Sequence, residues 1–428
     1  MSLAHLPNPQ PHDYTALTLL ADDDAEVRLY ERAPQGGILV PRGYAGFAYA
    51  DPSATIGGGM REGLSPIRLR DEQVPAVGAV VDALQSGRGA ARGAILFAPC
   101  GKGKTVMGLE IARRMGRKTL VLVHKTFLVE QWVERAQAFL PDAKIGFWQR
   151  DQLPAEDDDI VIGMVQSICN PRRQYDPAMY AQFGLLLADE THRYAAPMWQ
   201  DAIKMFPAAY RVGLTATPER KDNMQDVFLL HIGPIVYRMN AHSRAPTIFR
   251  VDTGAQITMP KTKRDGSENT AAIVTRISEV HSRTLSIVDY AVRAANTGRR
   301  VLILTERVKH AQQMLALVSP RLQDGMSAAL YIGDTSEAQR RAAADCEVII
   351  GSYAMAQEGL DIPHLDTLLL ATPKTSVTQS VGRILRDAPD KKDPVVLDFV
   401  DEQIDLCGAY WGARRRLYSS LGYIVRYA

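Results

Sequence analysis

The segment Ala98–Thr105, APCGKGKT, contains the residue types that bind phosphate. Gly101 and Gly103 permit a close backbone approach that a Cβ would block, and the Lys104 ammonium would reach the β- and γ-phosphates of a nucleotide. The Thr105 hydroxyl is a ligand for Mg²⁺. An apolar run precedes the segment and a helical pattern follows it, so backbone N–H groups at the helix start would face the phosphates. We therefore predict a phosphate-binding loop, in which alanine replaces the first glycine of the general pattern.

Two adjacent carboxylates, Asp189 and Glu190, follow the apolar run LLLA. Like charges at a strand end repel each other unless a cation lies nearby. Asp189 fits a Mg²⁺ ligand of a P-loop nucleotidase, and Glu190 fits the base that orients and deprotonates the attacking water. For DETH taken alone, two acids that cap the start of a helix are an open alternative. Together with the phosphate loop, the pair predicts ATP hydrolysis, with ATP and Mg²⁺ as cofactors and Thr105 and Asp189 as metal ligands.

Short apolar runs must position these residues, and they form two successive sets. The runs are continuous, as expected for strands buried on both faces of a parallel sheet. The first set comprises AILFAP (94–99), TLVLVH (119–124), DIVIGMV (159–165), GLLLADE (184–190) and YRVGLTAT (210–217). The second set comprises RVLILTE (300–306), AALYIGD (328–334), CEVIIGSY (346–353), TLLLATP (367–373) and PVVLDFV (394–400). Helical patterns lie between the runs, so the sequence predicts an α/β fold with two doubly wound parallel-sheet domains.

Changes in pattern divide the chain into three predicted parts: a small β-rich N-terminal module over 1–66, a first domain over 67–238 and a second domain over 239–428. The stretch IGGGMREGLSP (56–66) is expected to be a flexible connection, and GAQITMPKTKRDGSEN (254–269) a solvated loop. The C-terminal YWGARRRLYSSLGYIVRYA predicts a helix and a final strand. Its arginine run 414–416 would lie on a solvated face or touch backbone phosphates.

The composition is that of an ordinary globular protein, with 46% hydrophobic and 23% charged residues. Because the net charge is only +2, any affinity for nucleic acid would come from local clusters. The four cysteines lie far apart and form no CxxC pair, which argues against a zinc site or a disulfide framework and favours a reducing cytoplasm. No apolar run reaches membrane-spanning length, and the polar, proline-rich N-terminus does not resemble a signal peptide.

DETH resembles the DExH form of motif II in the superfamily 2 helicases. Around it stand further segments that are similar to motifs of this family, in the family's order. They are LRDEQ (69–73), VHKTFLVEQW (123–132), MVQSI (164–168), TATP (215–218), SYAMAQEGLDIP (352–363) and QSVGRILR (379–386). The similarity covers roughly residues 65 to 425. It implies two tandem RecA-like domains, with ATP bound on the first.

The resemblance also implies roles for individual residues. Gln73 would contact the adenine base with Arg70 in support, and Asp361 would bond the ribose. Nucleotide binding is expected at Arg70, Gln73, Gly101, Lys102, Gly103, Lys104, Thr105, Gly359 and Asp361. Contacts with the nucleic-acid backbone are expected at Lys125, Gln166, Ser167 and Ser352. Coupling between the two sites is expected at His192, Thr215, Thr217 and Gln379.

Arg383 and Arg386 lie three positions apart in QSVGRILR, which predicts one helical face. A guanidinium pair can neutralise charge on a transferring phosphoryl group. In the family these arginines reach from the second domain to ATP on the first, so that closure of the domains assembles the active site. For this motif alone, two solvated arginines are the alternative. The expected catalytic residues are Lys104, Asp189, Glu190, Arg383 and Arg386.

Two interpretations stay open for the aromatic residues of the N-terminal module. Arg42, Tyr44, Phe47 and Tyr49 form either a basic and aromatic patch for nucleic acid or the core of a small hairpin domain. In relatives this module is thought to engage duplex or junction DNA.

The motif forms and the N-terminal module look like those of phage branch-migration helicases and of the nucleotide-excision-repair DNA helicases. We therefore expect an ATP-dependent DNA helicase or translocase that remodels or unwinds branched or duplex DNA without sequence specificity, in branch migration, DNA repair and recombination. An RNA helicase, a double-stranded DNA translocase that does not unwind, and the motor of a restriction complex are the alternatives. We expect a monomer or weak oligomer without membrane attachment, in the cytoplasm, or in the host cytoplasm if the protein is phage-encoded.

Overall fold

The computed structural model describes residues 3–20, 26–44, 54–87, 92–99, 101–216, 224–240, 245–257, 269–358, 360, 362–386 and 388–427. The chain divides into two compact units, Met1–Asn240 and Ala241–Ala428, close to the predicted boundary between the α/β domains. Each unit has its own parallel sheet, and the N-terminal module belongs to the first unit.

The N-terminal module is built from short antiparallel strands, as the β-rich pattern predicts. Its elements are β1 (Ala4–Leu6), α1 (Pro11–Ala16), β2 (Thr18–Leu20), β3 (Glu26–Arg28), β4 (Glu31–Arg32) and β5 (Ile38–Val40). In the described residues, β1, β5 and β4 form one sheet, and β2 pairs with β3. Leu17, Leu29 and Val40 are among the buried side chains of a small core. Because this core is small, the module depends on its packing against the rest of the first unit.

The first parallel sheet contains seven strands within the described residues. They are β6 (Gly93–Phe97), β7 (Thr119–Val123), β8 (Ile145–Trp148), β9 (Ile160–Met164), β10 (Leu185–Ala188), β11 (Tyr210–Thr215) and β12 (Ile235–Arg238), in the spatial order β12-β6-β11-β10-β7-β9-β8. Its helices are α2 (Val74–Ser86), α3 (Lys104–Met115), α4 (Thr126–Phe139), α5 (Val165–Ile168), α6 (Pro177–Ala181), α7 (Pro197–Met205) and α8 (Gln225–His231), with a 3-10 helix at Thr191–Ala195. All pairings are parallel, so the carboxyl ends of the strands meet at one edge.

The second parallel sheet also contains seven strands in the part of the chain that the structure describes. They are β13 (Thr247–Asp252), β14 (Val301–Thr305), β15 (Ala328–Tyr331), β16 (Val348–Ser352), β17 (Thr367–Leu370), β18 (Val395–Val400) and β19 (Ile424–Tyr427), in the order β15-β16-β14-β17-β18-β13-β19. Its helices are α9 (Thr270–Glu279), α10 (His281–Asn296), α11 (Val308–Val318), α12 (Glu337–Ala343), α13 (Tyr353–Glu358), α14 (Thr378–Ile384) and α15 (Asp405–Ser420), with a 3-10 helix at Ser319–Arg321. The predicted fold of two doubly wound domains is confirmed, and every predicted apolar run contains a strand.

The segment 56–66 is not the flexible connection that its glycines predict. It runs along the amino edge of the first sheet, where Gly58 N–H donates to the Gln182 carbonyl at 2.9 Å and Met60 N–H to the Gly116 carbonyl at 3.1 Å. Gly57 has a φ of +59°, and a Cβ there would lie 2.1 Å from the Gly184 nitrogen. Glycine is therefore required by close packing and a left-handed backbone, and not by mobility. The predicted loop 254–269 lies mostly outside the described residues.

Two arginines expected at or near the surface are buried instead. Arg42 is 3% exposed and donates to the carbonyls of Ala208 at 2.6 Å and Pro207 at 3.2 Å. Arg414, on α15, forms two 2.8 Å hydrogen bonds with the Asp398 carboxylate, while the next two residues of the run are exposed. Both guanidinium groups hold the structure together, because each satisfies acceptors that burial would otherwise leave unpaired.

Within the described residues, no helix combines the length and the apolar character that a membrane span requires.

Candidate nucleotide and nucleic-acid sites

The predicted phosphate loop joins β6 to α3. Gly101 and Gly103 have φ angles of +84° and +79°, and Gly103 immediately precedes the first residue of the helix. Two left-handed residues at a helix start turn successive N–H groups toward one point, which is the geometry of an anion-binding nest. The Lys104 ammonium donates to the Ala98 carbonyl at 3.2 Å, across the mouth of the loop. Cys100 lies outside the described residues.

The segment LRDEQ holds this loop from one side. The Gln73 amide donates to the Lys102 carbonyl at 2.8 Å and accepts from the Arg70 backbone N–H at 3.0 Å. The Lys102 ammonium pairs with Glu72 at 2.6 Å, and a guanidinium nitrogen of Arg70 lies 3.4 Å from the Gly101 carbonyl. Residues expected to read adenine are thus hydrogen-bonded to the loop. In this conformation the amide of Gln73 positions the loop backbone.

Asp189 stands at the carboxyl end of β10 and is 8% exposed. Its Oδ2 accepts a 2.9 Å hydrogen bond from the indole N–H of Trp132, and its Oδ1 accepts from the Glu190 backbone N–H at 2.9 Å. Burial first, and the charge of Glu190 second, raise the pKa of Asp189 to about 6, against the opposing effects of the Trp132 bond and of Lys104. A cation beside this carboxylate would remove the repulsion.

The residues at this edge fit Mg²⁺. The Thr105 hydroxyl and the Asp189 carboxylate are hard oxygen donors, and Mg²⁺ is usually held by one or two protein carboxylates together with substrate phosphates. Within the described residues, no cluster of three or more His, Cys, Asp and Glu side chains could hold a metal ion.

Glu190 adopts a left-handed backbone, with a φ of +50°. A left-handed conformation is uncommon outside glycine, and strained backbone concentrates at functional sites. The Glu190 carboxylate lies 3.4 Å from Nδ1 of His192, and the same nitrogen lies 3.3 Å from the hydroxyl of Thr215 at the end of β11. The structure therefore brings three predicted residues into one chain of contacts. Thr217 lies outside the described residues.

The predicted nucleic-acid contacts of the first unit follow β7 and β9 at the same edge. Lys125 is half-buried at the start of α4, and burial lowers its pKa. The Gln166 amide donates to the His124 carbonyl at 2.9 Å, which ties the two strand ends together. The Ser167 hydroxyl accepts a 3.1 Å bond from the Arg150 backbone N–H. In the sheet, β7 is the neighbour of β10, and β9 is the neighbour of β7. These residues therefore follow the next two strand ends along the edge where Asp189 lies.

Of the predicted residues of the second unit, Ser352 ends β16, Gln379 and Arg383 lie in α14, and Arg386 follows α14. The Ser352 hydroxyl accepts from the Met355 N–H at 3.3 Å, and Arg383 donates to the Leu360 carbonyl at 2.9 Å. Helix α14, which contains Gln379, ends at Ile384, so Arg386 lies beyond it and the prediction of one helical face for the two arginines is wrong. The chain turns after Ile384, and Leu385 and Arg386 belong to this turn. The Lys391 ammonium donates to the Arg386 carbonyl at 2.6 Å. Gly359 and Asp361 lie outside the described residues.

Two buried residues near the carboxyl edge of the first sheet, Trp132 and His124, have no role that the sequence predicts. Trp132 is the last residue of the segment VHKTFLVEQW, and its indole N–H donates to Asp189. The sequence alone does not indicate this contact. His124 is 5% exposed, and neither ring nitrogen has a hydrogen-bond partner in the described residues. Burial, with a contribution from Arg193, lowers the pKa of His124 to about 3, so the ring is neutral. A polar residue that ends an apolar run, as in TLVLVH, is the signal that could have found it.

Two of the four residues considered for a nucleic-acid patch in the N-terminal module lie in the described part of the chain, and both favour the packing interpretation. Tyr44 packs against the module's core and its hydroxyl donates to Asp13 at 2.6 Å, and Arg42 is buried as described above. Both therefore serve packing. Phe47 and Tyr49 lie outside the described residues.

Comparison with known proteins agrees with this geometry. Residues 66–220 match the family described as the Type III restriction enzyme, res subunit. A protein of Acanthamoeba polyphaga mimivirus, provisionally named an ATP-dependent RNA helicase, is 30% identical over 76% of this chain, and the chain spans 63% of that relative's length. A protein of Invertebrate iridescent virus 6, provisionally named a helicase, is 26% identical, with 84% of this chain and 82% of that protein covered.

Among solved structures, an ATP-dependent Type ISP restriction-modification enzyme, LlaBIII, bound to DNA, has the same fold with a TM-score of 0.58. It is 17% identical, and the match covers 83% of this chain and 30% of the enzyme. The family match and the two viral relatives agree with the resemblance of the motif order to superfamily 2 helicases, in which DETH is similar to the DExH box.

Proposed function

We propose that the protein is an ATP-dependent DNA helicase or translocase that moves on branched or duplex DNA and remodels or unwinds it. The observation that carries the proposal is the shared edge of the first sheet. Asp189 and Glu190 end β10, while Lys125 and Gln166 follow the next two strands. Adjacent strands lie about 4.8 Å apart, so hydrolysis and nucleic-acid binding would occur on neighbouring strand ends.

In the proposed mechanism the loop residues hold ATP and the carboxylates act on water. Lys104 exchanges the Ala98 carbonyl for the β- and γ-phosphates, and Thr105 and Asp189 hold the metal. When bound, Mg²⁺ neutralises charge that develops on the phosphates. Glu190 orients and deprotonates the attacking water. Its left-handed backbone and its contact with His192 keep the carboxylate at the edge of the sheet.

Coupling would pass from Glu190 through His192 to Thr215. The Nδ1 atom of His192 lies within 3.4 Å of both the Glu190 carboxylate and the Thr215 hydroxyl. A movement of Thr215 at the end of β11 would therefore be passed by His192 to Glu190. Arg383 and Arg386 of the second unit would complete the site on domain closure, as in the family. Ser352 would contribute a phosphate contact there, and Gln379 would take part in coupling.

An RNA helicase is the second candidate, because the mimivirus relative bears that provisional name. The test is steady-state ATPase activity with Mg²⁺ across a panel of nucleic acids at one salt concentration, because affinities for nucleic acid depend steeply on salt. The panel holds single strands, blunt duplexes, forks and four-way junctions, as DNA and as RNA, and Glu190→Gln protein reports contaminating hydrolysis. Greater stimulation by forked or four-way DNA than by RNA would support the proposal. Equal or greater stimulation by RNA would replace it with the second candidate.

A further inference from the structure

The turn after β8 presents one arginine in an unfavourable backbone conformation. Arg150 has a φ of +52°, is exposed, and is one of the few described residues other than glycine with a positive φ. Glycine or asparagine would meet this conformation at lower cost. The surrounding structure must therefore hold the turn, which places an exposed arginine just after the carboxyl end of β8.

Two backbone bonds close this turn, from the Gln149 N–H to the Gln152 carbonyl at 3.2 Å and from the Gln152 N–H to the Gln149 carbonyl at 2.9 Å, and three further contacts hold it. The Ser167 hydroxyl accepts the Arg150 backbone N–H at 3.1 Å, and the Arg173 guanidinium donates to the Arg150 carbonyl. Arg173 also pairs with Asp151 at 2.7 Å. Ser167 is itself fixed, because the Tyr175 hydroxyl lies 3.4 Å from its carbonyl. The charges of Arg173 and Asp151 thus cancel each other, while the exposed Arg150 keeps its charge.

The strand order places these charges in line with the predicted nucleic-acid contacts. Along the carboxyl edge, β10 ends at the ATP carboxylates, β7 leads into Lys125, β9 leads into Gln166 and Ser167, and β8 leads into Arg150. Each step between strands is about 4.8 Å, so Arg150 stands roughly 10 Å from the Lys125 strand end, on the side away from the carboxylates. A nucleic-acid backbone that passes Lys125 and crosses the strand ends in this direction would pass the end of β9 and then reach Arg150.

We propose that Arg150, together with Arg172, the chain neighbour of Arg173, binds phosphates of the nucleic-acid strand carried by the first unit, and that Ser167 is a positioning residue that acts through Arg150. This rests on the proposed function. It reassigns Ser167, whose hydroxyl was expected to contact phosphate directly and instead caps the turn. Arg172 is exposed in a short turn, in which its backbone N–H donates to Asn170 at 3.0 Å. A guanidinium suits phosphate because its planar fork can bind two oxygens at once.

The backbone conformation makes Arg150→Gly a sharp test. A purely structural role for Arg150 predicts that glycine is neutral or stabilising, because it removes the strain. A phosphate contact predicts weaker binding in a protein that is equally or more stable. Fluorescence anisotropy with a labelled single strand and a labelled fork would measure the dissociation constant at several salt concentrations, and thermal unfolding would measure stability. Arg321→Gln, at an exposed arginine that ends the 3-10 helix after α11, is the matched charge control.

We expect Arg150→Gly to weaken binding about fivefold and to reduce the slope of log affinity against log salt by about 0.7 on single strands. Arg172→Gln is expected to weaken binding further and to reduce the salt slope in the same way, whereas Arg321→Gln is expected to bind like the wild type. Unchanged affinity of both Arg150→Gly and Arg172→Gln would overturn the proposal. If the wild type itself bound no nucleic acid, the proposed function would fail first, so the two failures are distinguishable.

The role of Ser167 is tested by a double-mutant cycle. If Ser167 acts through Arg150, Ser167→Ala weakens binding in the wild type but has no effect in the Arg150→Gly background. If Ser167 touches a phosphate itself, the two losses add, and the assignment of Ser167 as a positioning residue is wrong.

Discussion

The indole N–H of Trp132 donates a 2.9 Å hydrogen bond to Oδ2 of Asp189. The tryptophan belongs to α4, the helix that begins directly after Lys125, and it is 1% exposed. One helix therefore carries a predicted nucleic-acid contact at its start and the partner of the predicted metal ligand two turns later. A displacement of α4 by bound nucleic acid would move a hydrogen bond that favours the ionised form of Asp189.

Trp132→Phe is expected to lower the kcat for ATP hydrolysis. The change keeps most of the buried volume but removes a hydrogen bond to a charged group, which is worth about 1.5–3 kcal/mol, or roughly 10- to 100-fold if it is fully expressed in the rate. Trp148→Phe is the matched control, because Trp148 is fully buried and its indole N–H has no partner in the described residues. Steady-state kinetics with saturating nucleic acid measure the effect. Equal rates in the two variants would mean that the Trp132 bond does not support catalysis.

The two lysines of the phosphate loop are expected to differ in their effects. Lys104→Met should lower kcat by at least about 10²-fold, because it removes the cation from the phosphates. Lys102 is 6% exposed and paired with Glu72, so Lys102→Met should mainly raise KM by loosening the loop. Kinetics over a range of ATP concentrations separate the two effects. The reverse pattern would assign the phosphate contact to Lys102.

Arg386→Ala is expected to lower kcat by about 10³-fold or more and to leave nucleotide affinity largely unchanged, as for an arginine finger. Arg383→Ala should also slow catalysis, but it removes the bond to the Leu360 carbonyl and should lower the thermal midpoint as well. Nucleotide binding, turnover and thermal unfolding would be measured for both. An unchanged rate in Arg386→Ala would place the arginine finger elsewhere.

Histidine burial predicts a pH dependence of stability. Burial, with Arg211 nearby, lowers the pKa of His231 to about 3, and neither ring nitrogen has a hydrogen-bond partner in the part of the chain that is described. Between about pH 6.5 and pH 3 the unfolded chain therefore binds a proton that the native state does not. The free energy of unfolding falls as the pH is lowered through this window, by about 1.4 kcal/mol per pH unit for this residue.

His231→Leu should remove that contribution and leave the stability at pH 7.5 unchanged or higher, since no unpaired ring nitrogen stays buried. Urea denaturation at pH 7.5, 6.5 and 5.5 measures the free energy of unfolding of both proteins. The wild type should lose more stability than the variant between pH 6.5 and 5.5. Parallel losses would show that His231 titrates normally in the native state.

Strands with continuous apolar runs were predictable, and interrupted strands were not. LLLA at 185–188 is buried at every position and is unambiguous in the sequence. β8 was missed because its burial alternates, and β13 was missed because Arg250 interrupts it. Arg250 is accommodated by Glu402 and by the Trp411 ring, whose centroid lies 5.8 Å from the guanidinium carbon. Such partners are distant in sequence, so no local pattern reports them.

The burial of individual side chains was the feature that the sequence predicted least well. Arg42 and Arg414 read as surface charges, yet each is buried because acceptors from other elements surround it. The sequence also does not predict that α14 ends before Arg386, because QSVGRILR continues a helical pattern. Charge and periodicity describe one element at a time, whereas burial depends on what packs against it.

The sequence by itself determined the order of strands and helices, the phosphate loop and the acidic pair, because these depend on residues adjacent in the chain. The tertiary structure decided which side chains share the carboxyl edge of the first sheet. Trp132 contacts Asp189 because β7, which leads into α4, lies next to β10 in the sheet. Ser167 accepts the Arg150 N–H because β9 lies next to β8. Parallel strands that are distant in sequence bring their carboxyl ends together, and the chemistry of the site follows from that order.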